Sequence, residues 1–456
     1  MKHIDIKEIL QGQYVGQTVT VCGWVRTSRD SKNVAFLELN DGSCLKNFQV
    51  VLDKNNFNAD GDYMHLGAAL MVQGKVVAGM QPGTVEIVAA EVTVLGDCAP
   101  DYPLQKKRHT LEFLRSMPHL RLRTRTFNAV FRVRSVLSMA LHEYFQMNNY
   151  VYIHAPLITG SDCEGGGEMF QVTTHGFAPE IKTEEEYYGT DFFGRKAGLS
   201  VSGQLEGEVG AMAFGKIYTF GPSFRAENSN TPRHLAEFWH IEPEIAFATL
   251  PDVLEVAEDM FRYVIRQALE KCPDELAFFE QFYEPGLVEK LTRAISEKFA
   301  VIEYTDAIEA LKKSGVAFQY PVKWEDGLQT EHEKYIAEVL FGKPTFVINY
   351  PIGVKSFYMK QNDDGKTVAA SDLLVPGIGE LIGGSEREYR LENLLAAMSN
   401  RGMDVESYDD YIALRRYGST PHGGFGIGLE RLMMYVTGMT NIRDVIPYPR
   451  AVNFLP

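Results

Sequence analysis

The sequence is poor in the features that mark secreted, membrane and metal-binding proteins. Its five cysteines are scattered and form no CxxC pair, so neither a disulfide framework nor a zinc site is expected, and a reducing, cytoplasmic setting fits best. No apolar run approaches the roughly 20 residues that a membrane helix needs. The first six residues are not followed by the apolar stretch of a signal peptide, so no membrane partner is expected.

Positive charge is also scarce. Lysine and arginine total 45 against 60 aspartate and glutamate residues, which gives a net charge of −15. A protein that binds polyanions through its general surface is basic, so that class is disfavoured, although a local basic face could still meet a nucleic acid. The glycine patterns of dinucleotide-binding and P-loop folds are absent as well, which argues against both folds.

The first hundred residues contain five short segments in which apolar residues alternate, as is typical of β-strands. The segments lie at residues 18–25, 34–39, 48–52, 69–77 and 85–94. Their number and spacing predict a five-stranded OB-type β-barrel over residues 1–105; an SH3-like barrel or the edge of a sandwich is the alternative. Prolines and basic residues at 100–109 predict a hinge or linker over residues 106–125.

Residues 126–456 mix helices and strands without regular alternation, which predicts an α+β domain with an antiparallel sheet flanked by helices. Apolar residues at helical spacing predict helices at 125–147, 250–272, 285–299 and 326–340. Strands are predicted at 217–220, 239–247, 345–349 and 356–359. Residues 270–345 form a helical insertion to which the pattern assigns no purpose.

One segment combines an arginine with carboxylates and aromatic rings. Arg225 and Glu227 are two positions apart on a predicted strand and would share a face. A guanidinium there could hold a phosphate bidentately; the alternative is a cross-strand salt bridge on a solvated face. His234 could touch a distal phosphate and Phe238 could stack on a base, so the segment favours a nucleotide site.

Two later segments indicate a phosphate site as well. Glycines at 423–428 lead into a predicted helix with Arg431 in its early turns, an arrangement that lets an anionic ligand approach the backbone and the helix N-terminus. Asp372 and Glu380 flank a Pro-Gly turn. Oxygen ligands so placed suit Mg²⁺ held together with substrate phosphates; the alternative is a pair of exposed turn acids.

These segments match a known family. Residues 224–244 and 423–450 resemble motifs 2 and 3 of class II aminoacyl-tRNA synthetases, and the predicted helix and strand ending at Pro156 resemble motif 1. With the N-terminal barrel, the whole chain resembles the subgroup that charges aspartate, asparagine or lysine, and most closely its bacterial asparagine-charging branch. This resemblance implies ATP-dependent ligation of asparagine to tRNA through an asparaginyl adenylate, with Mg²⁺, by a cytoplasmic homodimer.

The resemblance also implies roles for individual residues, with Arg225 and Arg431 as the catalytic arginines. The residues implied in ATP binding are Arg225, Glu227, His234, Phe238, Glu380, Gly428 and Arg431. Those implied in amino-acid binding are Glu164, Ser202, Gln204, Glu242, Gly383 and Arg387. The implied Mg²⁺ ligands are Asp372 and Glu380, and the implied anticodon-binding residues are Arg29, Phe36 and Gln49.

Selection between asparagine and aspartate must be polar, because the two amino acids have nearly the same size. Aspartate-charging relatives carry a lysine where this sequence has Gly207, so the cation that would favour aspartate is missing. A carboxylate facing the substrate amide is needed instead. Glu242 is the first candidate, with Glu206 and Glu208 as alternatives, and at least one of the three is expected to lie on a solvated face.

Three rival functions are disfavoured. An aspartate-charging enzyme, including a non-discriminating form, conflicts with Gly207 and with the absence of a large insertion between motifs 2 and 3. An ammonia-dependent asparagine synthetase on the same core would lack a barrel at residues 1–105. A nucleic-acid-binding protein with an inactive core is disfavoured because the arginines and carboxylates named above are all present.

Overall fold

The computed structural model describes residues 2–163, 169–176 and 183–455. Its contacts divide the chain into two compact units, Met1–Ala129 and Val130–Pro456. Glu164, which the family resemblance implies in amino-acid binding, lies outside the described residues. Within the described ranges, every helix is too short or too polar to cross a bilayer.

The first unit contains a closed β-barrel of the predicted OB type. Helix α1 (Ile6–Ile9) precedes the barrel, and α2 (Leu111–Arg115) and α3 (Pro118–Arg121) follow it. The strands are β1 (Thr18–Asp30), β2 (Val34–Asn40), β3 (Phe48–Asp53), β4 (Asn58–Asp60), β5 (Ala69–Ala78) and β6 (Val85–Gly96). The five long strands pair in the order β3-β2-β1-β5-β6, and parallel pairing of β3 with β6 closes the barrel.

The barrel forms because successive side chains of a strand point to opposite faces. Every second residue is apolar and fills the interior, as shown by the fully buried Val21, Leu37, Val50, Val72 and Ile87. The intervening residues, more polar on average, form the outer surface. The short β4, which pairs with β6, is the one strand of the barrel that the sequence pattern did not predict.

The second unit is built on a large sheet surrounded by helices. Its strands are β7 (Val151–Tyr152), β8 (Ile158–Thr159), β9 (Gly198–Leu199), β10 (Lys216–Phe224), β11 (Glu237–Ala246), β12 (Ala300–Glu303), β13 (Thr345–Pro351), β14 (Thr367–Val375), β15 (Gly379–Glu386) and β16 (His422–Gly428). The α-helices from residue 125 onward are α4 (Arg125–Met147), α5 (Glu184–Gly189), α6 (Gln204–Phe214), α7 (Leu250–Lys271), α8 (Pro273–Phe282), α9 (Leu287–Ser296), α10 (Tyr304–Lys313), α11 (Thr330–Lys334), α12 (Leu391–Asn400), α13 (Asp409–Ala413) and α14 (Leu429–Thr437). A π-helix (Tyr335–Leu340) continues α11, and short 3₁₀ turns occupy Ile352–Val354, Val405–Tyr408 and Ile442–Asp444.

Eight strands form the main sheet in the order β12-β13-β14-β15-β16-β11-β10-β7. The six strands from β13 to β10 are antiparallel to their neighbours, as predicted, whereas the edge pairs β12–β13 and β10–β7 are parallel. Strands β8 and β9 form a separate small pair. The predicted α+β core is therefore confirmed, with parallel pairing added at both edges.

One buried carboxylate connects three separate segments of this core. Glu430, on α14, accepts a hydrogen bond from Arg134 Nη2 of α4 (2.7 Å) and another from the Trp239 N–H of β11 (3.0 Å). Arg134 Nη1 also donates to the Val445 carbonyl (2.9 Å). The segments that resemble motifs 1, 2 and 3 are thereby held together at one point.

Three local predictions were wrong. Residues 356–359 form a turn that meets the sheet only through an isolated bridge between Met359 and Arg387. The insertion at 270–345 is not purely helical, because β12 joins the sheet edge. Strand β10 ends at Phe224: the Arg225 N–H still bonds the Ala236 carbonyl (2.9 Å), and the backbone then leaves the ladder, so the shared-face argument for Arg225 and Glu227 fails.

Candidate active site

One face of β11 supplies side chains to the whole site. Phe238, His240, Glu242 and Glu244 are two positions apart and therefore point to the same side of the sheet. The strand is central, with β10 and β16 on its two sides. A single extended segment thus runs across the floor of the site from an aromatic ring to two buried carboxylates.

The implied ATP-binding residues come together in one cleft. Its walls include Arg225, Glu227, His234, Phe238, Glu380, Gly428 and Arg431. The Arg225 guanidinium lies 5.4 Å from the centre of the Phe238 ring, and Arg431 Nη1 donates to the Glu380 side chain (3.2 Å) and carbonyl (3.1 Å). The cleft therefore offers an aromatic ring with one guanidinium group over it and a second guanidinium group beside Glu380, which suits a nucleotide.

A second cleft adjoins the first and contains the implied amino-acid-binding residues that the structure describes. It is lined by Ser202, Gln204, Glu242, Gly383 and Arg387, together with Asp372 and Glu244. Five residues line both clefts: Arg225, His240, Glu380, Gly383 and Gly426. Two ligands bound in the two clefts would therefore meet beside Arg225.

Glycines in the floor leave the room in which these side chains meet. Gly383 of β15 pairs with Gly426 of β16. A Cβ at Gly426 would lie 2.5 Å from His240 Nε2, and a Cβ at Gly383 would lie 3.2 Å from Glu380 Oε1 and 3.6 Å from Asp372 Oδ1. Larger residues at these two positions would displace His240 and fill the space between the two carboxylates.

The predicted Mg²⁺ ligands, Asp372 and Glu380, converge above Gly383. Lys355 Nζ lies 2.6 and 2.7 Å from the two Asp372 oxygens. Burial raises the pKa of Asp372, and Lys355 offsets this only in part. For Glu380 the effect of burial is outweighed by Arg431 together with Lys355 and Arg225, so its pKa is lowered. In the described part of the chain no three His, Cys, Asp or Glu side chains form a metal-binding set. A pair of carboxylates suits Mg²⁺ that is held jointly with substrate phosphate oxygens.

Glu242, the first candidate for contact with the substrate amide, is already surrounded by donors. Ser202 Oγ and the Gly203 N–H (2.8 Å) donate to it, and Thr219 Oγ1 lies at 3.3 Å and His240 Nδ1 at 3.1 Å. Burial opposes its ionisation, but these donors and His240 lower its pKa to about 2. Since a carboxylate offers about four lone-pair sites, little capacity is left for a substrate amide.

Glu244 has more acceptor capacity and a different partner. Arg387 Nε donates to its Oε2 (3.1 Å) and Arg387 Nη2 to its Oε1 (2.5 Å), and both side chains are almost fully buried. Arg387 Nη1 donates to Ser385 Oγ (2.8 Å), so three of the five guanidinium N–H groups are used in these bonds. Burial raises the pKa of Glu244. The pair presents acceptor and donor groups side by side in the second cleft.

The other two candidate carboxylates lie elsewhere. Glu208 is buried beneath the cleft, where it accepts from Gln204 Nε2 (3.0 Å), Arg415 Nη2 (2.6 Å) and Tyr411 Oη (2.9 Å). Glu206 is half-buried on α6, and burial raises its pKa. Neither residue is among those lining the two clefts, although Glu208 holds Gln204 in place.

The sequence patterns missed four residues in or beside the site: Glu244, His240, Lys355 and Glu333. The sequence pattern could have identified two of them, because His240 and Glu244 belong to the same period-2 series as Phe238 and Glu242 along a predicted strand. Lys355 approaches Asp372 from a turn, and Glu333 approaches Glu380 from the insertion. No local pattern connects these last two pairs.

The implied anticodon-binding residues lie on the outer surface of the barrel. Arg29 of β1 pairs with Phe36 of β2, and Gln49 of β3 pairs with Glu38 of β2. Phe36 is half-buried, whereas Arg29 and Gln49 are exposed. Gln49 Nε2 donates to Glu86 Oε2 (2.8 Å). The three side chains therefore belong to adjacent strands on the solvent side of the barrel.

Comparison with known proteins gives matches along nearly the whole chain. The family model described as tRNA synthetases class II (D, K and N) matches residues 110–452, and the OB-fold nucleic acid binding domain matches residues 19–95. The asparagine–tRNA ligase of Acetivibrio thermocellus is 54% identical over 99% of both chains, and that of Geobacter sulfurreducens is 54% identical over 98% of both. The crystal structure of asparaginyl-tRNA synthetase from Pyrococcus horikoshii complexed with asparaginyl-adenylate is 31% identical, with a TM-score of 0.87 over 100% of this chain and 99% of the other.

Proposed function

The chain belongs to the class II tRNA synthetases of the D, K and N group, and we propose on this basis that it ligates asparagine to its tRNA through an asparaginyl adenylate. The observation that carries the proposal is the union of the two clefts beside Arg225, His240 and Gly383. An ATP molecule in one cleft and an amino acid in the other would bring a carboxylate to the α-phosphate. Relatives that bear the name asparagine–tRNA ligase match this chain from end to end.

In the first step, an asparagine carboxylate oxygen attacks the α-phosphorus of ATP, the bond to the bridging oxygen breaks, and pyrophosphate leaves. Arg225 lies at the junction, where it would bind the α-phosphate, while Arg431 and His234 would bind the outer phosphates. Mg²⁺ held by Asp372 and Glu380 would supply further positive charge there. Positioning and electrostatic stabilisation suffice for this displacement, so no protein nucleophile is needed.

In the second step, a terminal hydroxyl of the tRNA attacks the adenylate carbonyl and AMP leaves. The barrel would bind the anticodon through Arg29, Phe36 and Gln49, with the Phe36 ring stacking on a base. These three residues lie on one outer surface of the first unit. The net charge of −15 does not oppose this role, because stacking of a base on an aromatic ring requires only a local contact.

For the choice of amino acid, we propose that Glu244 and Arg387 contact the side chain of asparagine. Glu244 would accept from the amide NH₂, and a remaining N–H of Arg387 would donate to the amide oxygen. A Cβ at Gly207 would lie 3.3 Å from Glu244 Cγ. The position that carries a lysine in aspartate-charging relatives is therefore next to Glu244. In this chain that position is glycine, so no lysine adds positive charge beside Glu244.

This arrangement repels aspartate. Its carboxylate would add a negative charge beside Glu244 and Glu242 while Arg387 is already paired. Glu242 would then hold Ser202 and Gly203 in place beside Gln204 at the substrate α-amino group, and its negative charge, maintained by a pKa of about 2, would favour that cation without a direct hydrogen bond. Aspartate charging, the alternative function, would require an unpaired cation beside the substrate side chain.

The direct test is ATP–pyrophosphate exchange with asparagine, aspartate and lysine offered separately to the full-length protein. Exchange with asparagine alone is expected. Exchange only with aspartate would overturn the proposal, and comparable exchange with both would show a non-discriminating enzyme. Transfer to tRNA is tested next by charging with purified asparagine-accepting tRNA.

We also propose a homodimer in a cytoplasmic setting. Apolar side chains on α4 and on the edge strand β7 are exposed, namely Met139, Met147, Val151 and Tyr152, and this is the segment that resembles motif 1. All five cysteines are free, which accords with a reducing compartment. Light scattering should give twice the chain mass of 51.3 kDa, and a monomer at micromolar concentration would contradict the dimer.

A further inference from the structure

The insertion at residues 270–345 ends in an unusual helical segment. Helix α11 passes directly into the π-helix Tyr335–Leu340, in which the Phe341 N–H bonds the Ile336 carbonyl five positions back (3.1 Å). Bonding of this kind brings residues five apart towards the same side, and π-helical segments are frequent at functional sites. Glu333 on α11 and Glu338 in the π-helix are five positions apart.

Both carboxylates contact the turn that joins β14 to β15. Glu333 Oε2 accepts from the Glu380 N–H (3.1 Å), and Glu338 Oε1 accepts from the Gly377 N–H (2.8 Å). Gly379 lies between these points with φ +86°, and a Cβ there would lie 2.6 Å from Glu333 Oε2. The turn thus approaches the insertion so closely that only glycine fits at this position.

The same turn is also held by the loop before β11. Arg233 Nη2 donates to the Ile378 carbonyl, and Arg233 Nη1 donates to Thr330 Oγ1 of α11 (3.3 Å). Glu380 is the second residue of β15 after this turn, and its carboxylate bonds Arg431 and faces Asp372 across Gly383. The direction of the Glu380 side chain therefore depends on backbone contacts made by the insertion.

We propose that the insertion is a positioning element for the turn between the proposed Mg²⁺ ligands Asp372 and Glu380, with Glu333 and Glu338 as the positioning residues. They fix the backbone on both sides of Gly379, so that Glu380 points at once to Arg431 and to the space shared with Asp372. This inference rests on the adenylate-forming function proposed above. It gives the insertion a role in ATP binding although neither Glu333 nor Glu338 lines either cleft.

The test measures how strongly Mg²⁺ enhances ATP binding. Calorimetric titration with ATP, without amino acid so that no reaction occurs, is run in Mg²⁺ and in EDTA for the wild type and for Glu333→Ala, Glu333→Gln and Glu338→Ala. Glu331→Ala is the matched control, because Glu331 lies on the same helix and accepts two backbone N–H groups of a different loop, at Gln319 (2.9 Å) and Tyr320 (2.7 Å).

Loss of one backbone hydrogen bond should reduce the enhancement by Mg²⁺ about three- to tenfold in Glu333→Ala. Glu333→Gln retains an acceptor oxygen and should recover most of the loss. Glu338→Ala, a change at an exposed residue that should fold normally, is expected to give a smaller loss, and Glu331→Ala none. Thermal unfolding of each variant separates a loss of stability from a loss of Mg²⁺ linkage.

The inference is overturned if Glu333→Ala and Glu338→Ala retain the wild-type enhancement, or if Glu331→Ala loses as much as they do. It is also overturned if Glu333→Gln is as defective as Glu333→Ala, because the negative charge and not the hydrogen bond would then be responsible. Failure of the proposed function looks different: the wild type itself would show no asparagine-dependent pyrophosphate exchange.

Discussion

Replacement of Glu244 by glutamine tests how the site distinguishes asparagine from aspartate. The substitution keeps the length and shape of the side chain but removes the negative charge that now pairs with Arg387 through two contacts of 2.5 and 3.1 Å. Arg387 then becomes a buried cation without the carboxylate that pairs with it in the wild type. Aspartate activation should rise and asparagine activation should fall.

The size of the effect follows from the charge that is removed. Two like charges about 5 Å apart repel by about 3 kcal/mol at an effective dielectric constant of about 20. Partial screening by water in the open cleft reduces this to about 2 kcal/mol, which corresponds to about a 30-fold change in the ratio of the two rates. Because the glutamine that replaces Glu244 can still accept one bond from Arg387, the fold should persist.

The assay is ATP–pyrophosphate exchange, with kcat/KM measured for asparagine and for aspartate. The ratio of the two values should fall by about 30-fold in Glu244→Gln, while the KM for ATP stays near that of the wild type. Glu206→Gln is the matched control, since Glu206 is a half-buried acid on α6 that lines neither cleft. A ratio within about twofold of the wild type would refute the assignment.

Three further predictions concern other parts of the protein. Glu242→Gln should weaken asparagine activation far more than ATP binding, because it disturbs the hydrogen bonds that Ser202 and Gly203 donate to Glu242. Unchanged asparagine-dependent exchange would contradict this role. Phe36→Ala should raise the KM for tRNA in charging, consistent with the ~1–3 kcal/mol of one base stack, and leave pyrophosphate exchange unaffected. A defect in exchange would show that the substitution does not act through anticodon binding. Glu430→Ala should destabilise the second unit by about 3 kcal/mol, because it leaves Arg134 partly buried without its carboxylate partner; an unchanged denaturation midpoint in urea would show that this contact is not structural.

Much of the fold could be predicted because its patterns are local. Alternation of apolar residues in the barrel and helical spacing in α4 both follow from the geometry of a single element. The short strands β4 and β12 were missed because three or four residues carry too little pattern to be recognised. The central strands β14, β15 and β16 were also missed, because β14 is buried along its whole length and does not alternate, and glycines interrupt β15 and β16. The end of β10 at Phe224 was also missed. It depends on where the loop between β10 and β11 leaves the sheet, which no local pattern of β10 shows.

The site could be predicted in part, and for a similar reason. Arg225, Phe238 and Arg431 stand in segments whose local composition already indicates a nucleotide, and the structure brings them into one cleft. The partner of Arg387 could not be read in this way, because Glu244 lies 143 positions away in the chain. Which of several carboxylates faces a ligand depends on which of them already has its donors.

The contrast between Glu242 and Glu244 shows why counting donors decides such a question. Both are buried glutamates on the same face of β11, and the sequence offers no reason to separate them. Four donors surround Glu242 and lower its pKa to about 2, whereas burial raises the pKa of Glu244 despite its arginine. A carboxylate that is still short of donors gains most from a substrate amide, so the less satisfied member of the pair is the one suited to select asparagine.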